Sequence, residues 1–246
     1  MRTEISTIGF SKNRACQLDL LLRNFNMPIT IIYTHDPEFA LGYEKLIKMY
    51  PDVNFIKQTD MKQHILDNMI EDYTMFQVDD DIMLEHFDEA CPEFRELKVN
   101  PEVLCLSLRL CPSYIGYPGD ETNHWLWRGQ KHSWGYPMAD TATIFRKADI
   151  LETIKNMPYA QIPHTLEIAM RRNPPNRIFM TCFTKPKLIT NEANLVQDVY
   201  PTKNFGVDVK MLEEGFLAGK RLSLSHMMDA ASRATGCFMR MAYEWE

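Results

Sequence analysis

Three consecutive acids, Asp79, Asp80 and Asp81, follow directly on the apolar run 73–78, Tyr-Thr-Met-Phe-Gln-Val. In an open α/β sheet ligands bind outside the carboxyl ends of the strands. Carboxylates one residue apart at such an end can hold a hard divalent cation that also binds phosphate oxygens. The spacing suits a nucleoside-diphosphate site. A solvated turn would use the same residues, because aspartate is a common turn former. Against the turn, three adjacent acids repel one another and are costly when partly desolvated unless a cation joins them.

The elements that would position these acids alternate. The pattern predicts strand 5–10, helix 15–24, strand 29–33, helix 38–49, strand 53–56, helix 61–70 and strand 73–78. Parallel strands need crossover helices, so this rhythm implies a mostly parallel central sheet with helices on both faces. Leu18, Leu21, Leu22 and Phe25 recur at helical spacing and read as core. After the acids the pattern predicts helix 85–97 and strand 103–110. From Cys111 to Met138 it breaks into a stretch rich in Tyr, Trp, Gly, Pro and His, with Trp125, Trp127, Trp134 and Tyr136. Long loops in compact domains are commonly functional. These rings could stack on a sugar face or could close the end of the sheet as a satellite core. Strand 141–145, helix 148–156 and a helix from about Ile162 to Arg171 follow, with Thr165 as a candidate N-cap and Glu167 in the first turn. Pro174-Pro175 ends that helix, residues 201–204 make a further break, and a helix is expected over 208–218.

At 246 residues, 45% hydrophobic and 24% charged, the chain has ordinary globular composition and is read as one α/β domain, with a nucleotide half over 1–83 and an acceptor half over 84–246. No run reaches the roughly 18 apolar residues of a membrane span, and the N-terminal residues lead into a strand and not into a secretory signal. The net charge of −6 disfavours a nucleic-acid partner, although Arg171, Arg172, Arg177, Lys185 and Lys187 could form a local track. Six scattered cysteines without a CxxC pair indicate neither zinc nor a disulfide framework, so a reducing cytoplasm, a host's if the chain is viral, is expected.

Several segments in order resemble a known family. They are Phe10-Ser11-Lys12-Asn13-Arg14, Val78-Asp79-Asp80-Asp81, Asp140-Thr141-Ala142-Thr143-Ile144-Phe145-Arg146, Pro163-His164-Thr165-Leu166-Glu167, Asn191-Glu192-Ala193-Asn194-Leu195-Val196-Gln197 and Phe216-Leu217-Ala218-Gly219-Lys220-Arg221. Together the chain resembles small bacterial and viral glycosyltransferases of the GT-A fold, similar to family two, with a DxD motif. The resemblance implies a single Rossmann-like GT-A domain. It further implies transfer of a sugar from a nucleoside-diphosphate sugar, expected to be UDP-linked, to a saccharide or other hydroxyl acceptor with inversion, assisted by Mn2+ or Mg2+.

By that resemblance Phe10, Ser11, Lys12 and Arg14 would lie beside the nucleotide, Arg14 suiting a diphosphate through its planar fork. Asp60 would contact base or ribose, Asp79 and Asp80 would face the donor, and Asp79, Asp81 and a late His226 would complete a metal shell. Glu167 is the expected general base, with Asp140 its competitor or the residue that orients the acceptor beside Trp134 and Tyr136. Only one acid stands at the Glu167 position, where the family usually has a pair. A noncatalytic nucleotide-sugar or glycan-binding protein, or a transferase acting on a modified DNA base, are the alternative readings. A nucleotidyltransferase would be expected to carry a glycine-rich loop after the first strand, and here 9–14 holds a single glycine.

Overall fold

The computed structural model describes residues 3–119, 123–158, 162–194, 196 and 207–246. The first half runs as the pattern requires: β1 (Ile5–Lys12), α1 (Ala15–Asn24), β2 (Thr30–Thr34), α2 (Ala40–Met49), β3 (Asn54–Lys57), α3 (Met61–Asn68) and β4 (Tyr73–Val78). β1 and β4 are buried along nearly their whole length, so both of their faces are covered. Then come β5 (Asp81–Met83), α4 (Pro92–Val99), β6 (Val103–Ser107), β7 (His124–Leu126), β8 (Thr143–Arg146), α5 (Lys147–Asn156), α6 (Pro163–Arg172), β9 (Phe179–Cys182), β10 (Leu188–Asn191), α7 (Val209–Leu217), α8 (Leu224–Ser232) and β11 (Phe238–Met239).

The main sheet has the order β3-β2-β1-β4-β8-β6-β9-β7, and a small second sheet the order β11-β10-β5. Four of the seven neighbouring pairs in the main sheet are parallel, so the expected mostly parallel sheet is present, with β8 inserted antiparallel between β4 and β6. Helices cover both faces. Ile65, Ile150 and Leu166, from α3, α5 and α6, pack with Ile8, Phe10, Phe76 and Phe145. On the other face Leu18 and Leu21 of α1, Tyr43 of α2, Phe216 of α7 and Met227 of α8 pack with Ile31. Gly9 pairs with Ile31 on β2, and a Cβ there would stand 2.6 Å from Ile31 Cδ1, so a larger residue would have to displace that side chain. Among the described residues no helix is long and apolar enough to cross a membrane.

Several elements differ from the sequence expectation. The helix expected over 85–97 starts only at Pro92, because residues 81–83 are taken into β5 by pairing with β10, a partner over one hundred residues away. β6 ends at Ser107, where the Ser107 hydroxyl accepts the Leu110 N–H at 3.3 Å and turns the chain. α6 keeps its expected extent but is capped one turn before Thr165, which leaves Glu167 outside the first turn. Ile162 precedes a Pro163 at the first helical position, and Thr165, expected as the cap, instead donates its hydroxyl to the Ile162 carbonyl at 2.7 Å. The aromatic stretch contains β7 and a 3-10 turn over His132–Gly135. The expected break at 201–204, and Leu195 and Gln197 of the late motif, lie outside the described residues.

Candidate functional site

The carboxyl end of β4 lies beside that of β1, with Phe10 opposite Val78, so the chain leaves both strands at one edge. Asn13 adopts φ +56, the left-handed turn that asparagine tolerates, and its side chain exchanges hydrogen bonds with Asp36 through Nδ2 at 2.6 Å and Oδ1 at 2.8 Å. Arg14 is then delivered at the N-cap position of α1 with its side chain turned onto the acids. Its Nη1 lies 2.9 Å from Asp79 and 2.9 Å from Asp80, and Nη2 donates to the Asn194 carbonyl. Burial alone would lower the guanidinium, but Asp80 and Asp79 outweigh it and hold it above its ordinary value. Asp79 is further engaged by the Ser11 hydroxyl at 2.8 Å and the Lys12 N–H at 3.1 Å, and Ser11 shares a 2.6 Å hydrogen bond with the Tyr43 hydroxyl.

Asp81 points elsewhere. It is the register partner of Thr190 across β5 and β10, and the Thr190 hydroxyl donates to Oδ1 at 2.6 Å. Oδ2 accepts from the Thr141 hydroxyl at 2.5 Å and from the Val78 N–H at 3.2 Å. Burial pushes Asp81 up to about 6 despite these donors. Burial likewise pushes Asp80 to about 7, Arg14 drawing it down less than Asp79, Asp81 and desolvation drive it up. Negative charge is thus costly in this cluster, and Asp80 holds its proton up to about neutral pH.

A Mn2+ or Mg2+ ion held here would need free carboxylate oxygens that converge. Both oxygens of Asp79 and both of Asp81 are engaged within the chain, in different directions. His226 stands in the first turn of α8 with Nδ1 3.4 Å from Glu244. Among the described residues no group of three or more His, Cys, Asp or Glu side chains is placed to hold a metal. Asp79, Asp81 and His226 do not form a ligand set as they stand. Phe10 is 4% exposed and stacks with Phe76 at 6.0 Å, so it is a core residue of the strand and presents no ring to a nucleotide. Lys12 is half-buried at the mouth of the loop. Asp60 caps α3, accepting the Gln63 N–H at 3.0 Å, at the end of the neighbouring strand β3.

The two acids that compete as base come together. β8 runs antiparallel to β4, so residues 140–142, which lead into it, reach the edge where β4 ends, with the Ala142 N–H on the Phe76 carbonyl at 2.7 Å. Asp140 is pushed well above the ordinary carboxylate range by burial and by the neighbouring charge of Glu167, with Arg109 opposing. Glu167, on α6, lies 3.5 Å from His164 Nδ1 and hydrogen-bonds with the Tyr136 hydroxyl. Arg171, one turn further along α6, stacks 4.3 Å over the Tyr136 ring and donates to its hydroxyl at 3.2 Å. Tyr136 is thus beside the acids. Trp134 is not a platform: it is 6% exposed, packs edge-on against Trp125 at 5.1 Å and donates Nε1 to the Ile115 carbonyl. The satellite-core alternative describes Trp125 and Trp134.

Sequence reasoning did not single out the site roles of Thr190, Asn194, Tyr43 or Arg109. Thr190 and Asn194 were out of reach, since their roles depend on pairings between segments over one hundred residues apart. Arg109 carried a signal: a lone arginine within the apolar run 103–110 must have a reason to be buried. Ala142 also left no trace, yet it is fully buried at φ +45, a strained conformation for alanine, between Asp140 and β8.

No family model matches the chain. It is 26% identical over 187 residues to the bifunctional glycosyltransferase pgtA of Dictyostelium discoideum, a match covering 59% of this chain and 24% of that protein. The chain thus spans about a quarter of the length of that relative. Among solved structures it resembles S. aureus TarS 1-349, with 12% identity and a TM-score of 0.48 over 76% of this chain and 60% of that one. A further TarS structure gives 11% identity and 0.47 over 78% and 37% of the two chains. TarS 1-349 in complex with UDP-GlcNAc gives 12% and 0.46 over 76% and 58%. These likenesses are remote and leave the activity to be argued from the site.

Proposed function

We propose that the chain is a glycosyltransferase that moves a sugar from a nucleoside-diphosphate sugar to a hydroxyl acceptor with inversion. The observation that carries this reading is the meeting, at one edge of the sheet, of the Ser11–Arg14–Asp79–Asp80 cluster with the Asp140–Glu167 pair. The strand ends of β1 to β4 offer the place where an α/β sheet binds a nucleotide. The acid pair stands across the β4–β8 boundary, where an acceptor would approach. The acceptor oxygen attacks the anomeric carbon, the bond from that carbon to the diphosphate oxygen breaks, and its electron pair leaves with the diphosphate. The hydroxyl proton passes to a carboxylate. Asp140, biased to keep its own proton, leaves Glu167 as the acceptor, oriented by the Tyr136 hydroxyl.

UDP is the first nucleoside diphosphate to try, as the resemblance implies. Asp79, Asp80 and Asp81 are committed to Arg14, Ser11, Thr141 and Thr190 and do not fit a metal as they stand. The test is release of nucleoside diphosphate from a panel of nucleotide sugars with simple saccharide acceptors. Acceptor-dependent release that Glu167→Gln abolishes supports transfer. Nucleotide binding with no release for any acceptor would instead favour the noncatalytic binding protein.

A further inference from the structure

Arg109 is buried at the same edge with two of its three guanidinium nitrogens without an acceptor among the described residues. It is 4% exposed, and the two nitrogens are Nε and Nη1. Its place is fixed from both sides. β6 ends two residues before it, the Leu108 N–H is held on the Ala142 carbonyl at 2.9 Å, and the Leu108 carbonyl accepts the Lys187 N–H at 2.8 Å. The guanidinium lies 5.0 Å from the centre of the Phe238 ring on β11. The acidic groups that face it are Asp81 and Asp140. Asp81 already has both oxygens filled by two threonine hydroxyls and a backbone N–H, so it is a counter-charge and not a hydrogen-bond partner.

A buried guanidinium with free donors is unfavourable unless an acceptor arrives, and a planar fork of charged donors matches phosphate oxygens. Of the two buried arginines at this edge, Arg14 has committed Nη1 and Nη2 to Asp79, Asp80 and Asn194, whereas Arg109 has not. The carboxylates do not converge on a metal position that could neutralise a diphosphate. We infer that Arg109 receives the diphosphate of the bound donor, giving hydrogen bonds to its non-bridging oxygens as a cation built into the chain. This rests on the nucleotide-sugar reading. Phe238, whose ring lies against the guanidinium, is itself 41% exposed, so the inferred anion would reach Arg109 from the Phe238 side.

The experiment is calorimetric titration of inorganic pyrophosphate, UDP and UMP into the wild-type chain, Arg109→Gln and Arg109→Lys without divalent metal. Wild type should bind both pyrophosphate and UDP. Arg109→Gln should weaken both by about tenfold or more, the worth of one charge-assisted contact, while UMP changes less than about threefold. Arg109→Lys, which keeps the charge and the fold but not the fork, should fall between them and replaces the glutamine variant if that one does not fold. Equal pyrophosphate affinity in wild type and variants, or failure of wild type to bind pyrophosphate, overturns the inference. An equal loss of UMP affinity overturns it too, by showing a merely structural residue. Arg109-dependent pyrophosphate binding without binding of UDP or UMP would keep the anion site and reject the UDP reading.

Discussion

Replacing Arg14 by alanine should destabilise the fold by about 3–5 kcal/mol at pH 8, the range found when one partner of a buried ion pair is removed. Arg14, Asp79 and Asp80 are 8%, 4% and 9% exposed, and Nη1 alone serves both acids at 2.9 Å. Truncation therefore leaves two carboxylates buried beside a third with no cation in hydrogen-bond contact. For a chain of this size each kcal/mol moves Tm by about 2–4 °C, so a fall of about 6–20 °C is expected. The pH dependence follows from Asp80, whose folded value stands at about 7 against an ordinary 3.8. A carboxyl raised in the folded state binds more protons folded than unfolded. Its contribution is fully present below the unfolded value and is lost as pH rises through the folded one. Without Arg14 the folded value climbs further, so the deficit of Arg14→Ala should shrink at pH 5, where folded Asp80 is protonated in both proteins. Urea unfolding followed by tryptophan fluorescence at pH 5 and pH 8 measures it, and adding Asp80→Asn should restore part of the loss at pH 8. A deficit below about 1 kcal/mol at pH 8, or one equal at both pH values, would refute the view that Arg14 neutralises the cluster.

Glu167→Gln should lower transfer by about 10²–10⁴-fold, with nucleotide affinity unchanged. Asp140→Asn should be milder, and the reverse order in steady-state assays would move the base to Asp140. Ala142→Gly should stabilise the chain by about 1 kcal/mol in thermal melts by relieving the left-handed strain at φ +45, and a loss of stability would show that the methyl packs usefully there. Gly42→Ala should destabilise by about 1–3 kcal/mol, since the added Cβ would fall 2.3 Å from the Glu213 carboxylate oxygens that accept the Gly42 N–H. Unchanged urea unfolding in that variant would show that α2 and α7 adjust freely.

The nucleotide half was legible because its contacts are periodic and local. The apolar run before Asp79 reads as a strand, the Leu18, Leu21 and Leu22 spacing reads as a buried helix face, and the observed bounds of α1 and β4 coincide with those expected. That Asp140 and Glu167 share an edge was legible only as two competing candidates, because their meeting depends on β8 entering antiparallel beside β4. The second sheet was not legible. β5, β10 and β11 are two to four residues long, too short for a period to declare itself, and only their pairing gives Asp81 its threonine partners. Trp134 could not be assigned from composition, since an indole suits both a sugar face and an edge-on core contact. The destinations of the three acids were equally hidden: adjacent in sequence, they turn towards β1, Arg14 and β10 respectively.

Transfer as proposed requires the joint edge of β1 and β4 to bind a nucleoside diphosphate. Calorimetric titration of UDP, GDP, CDP and ADP into the wild-type chain, each with and without Mn2+, tests it most directly. One diphosphate should bind in competition with its own nucleotide sugar, with an affinity that changes little when Mn2+ is added. A well-folded chain that binds none of the four under either condition would contradict the claim.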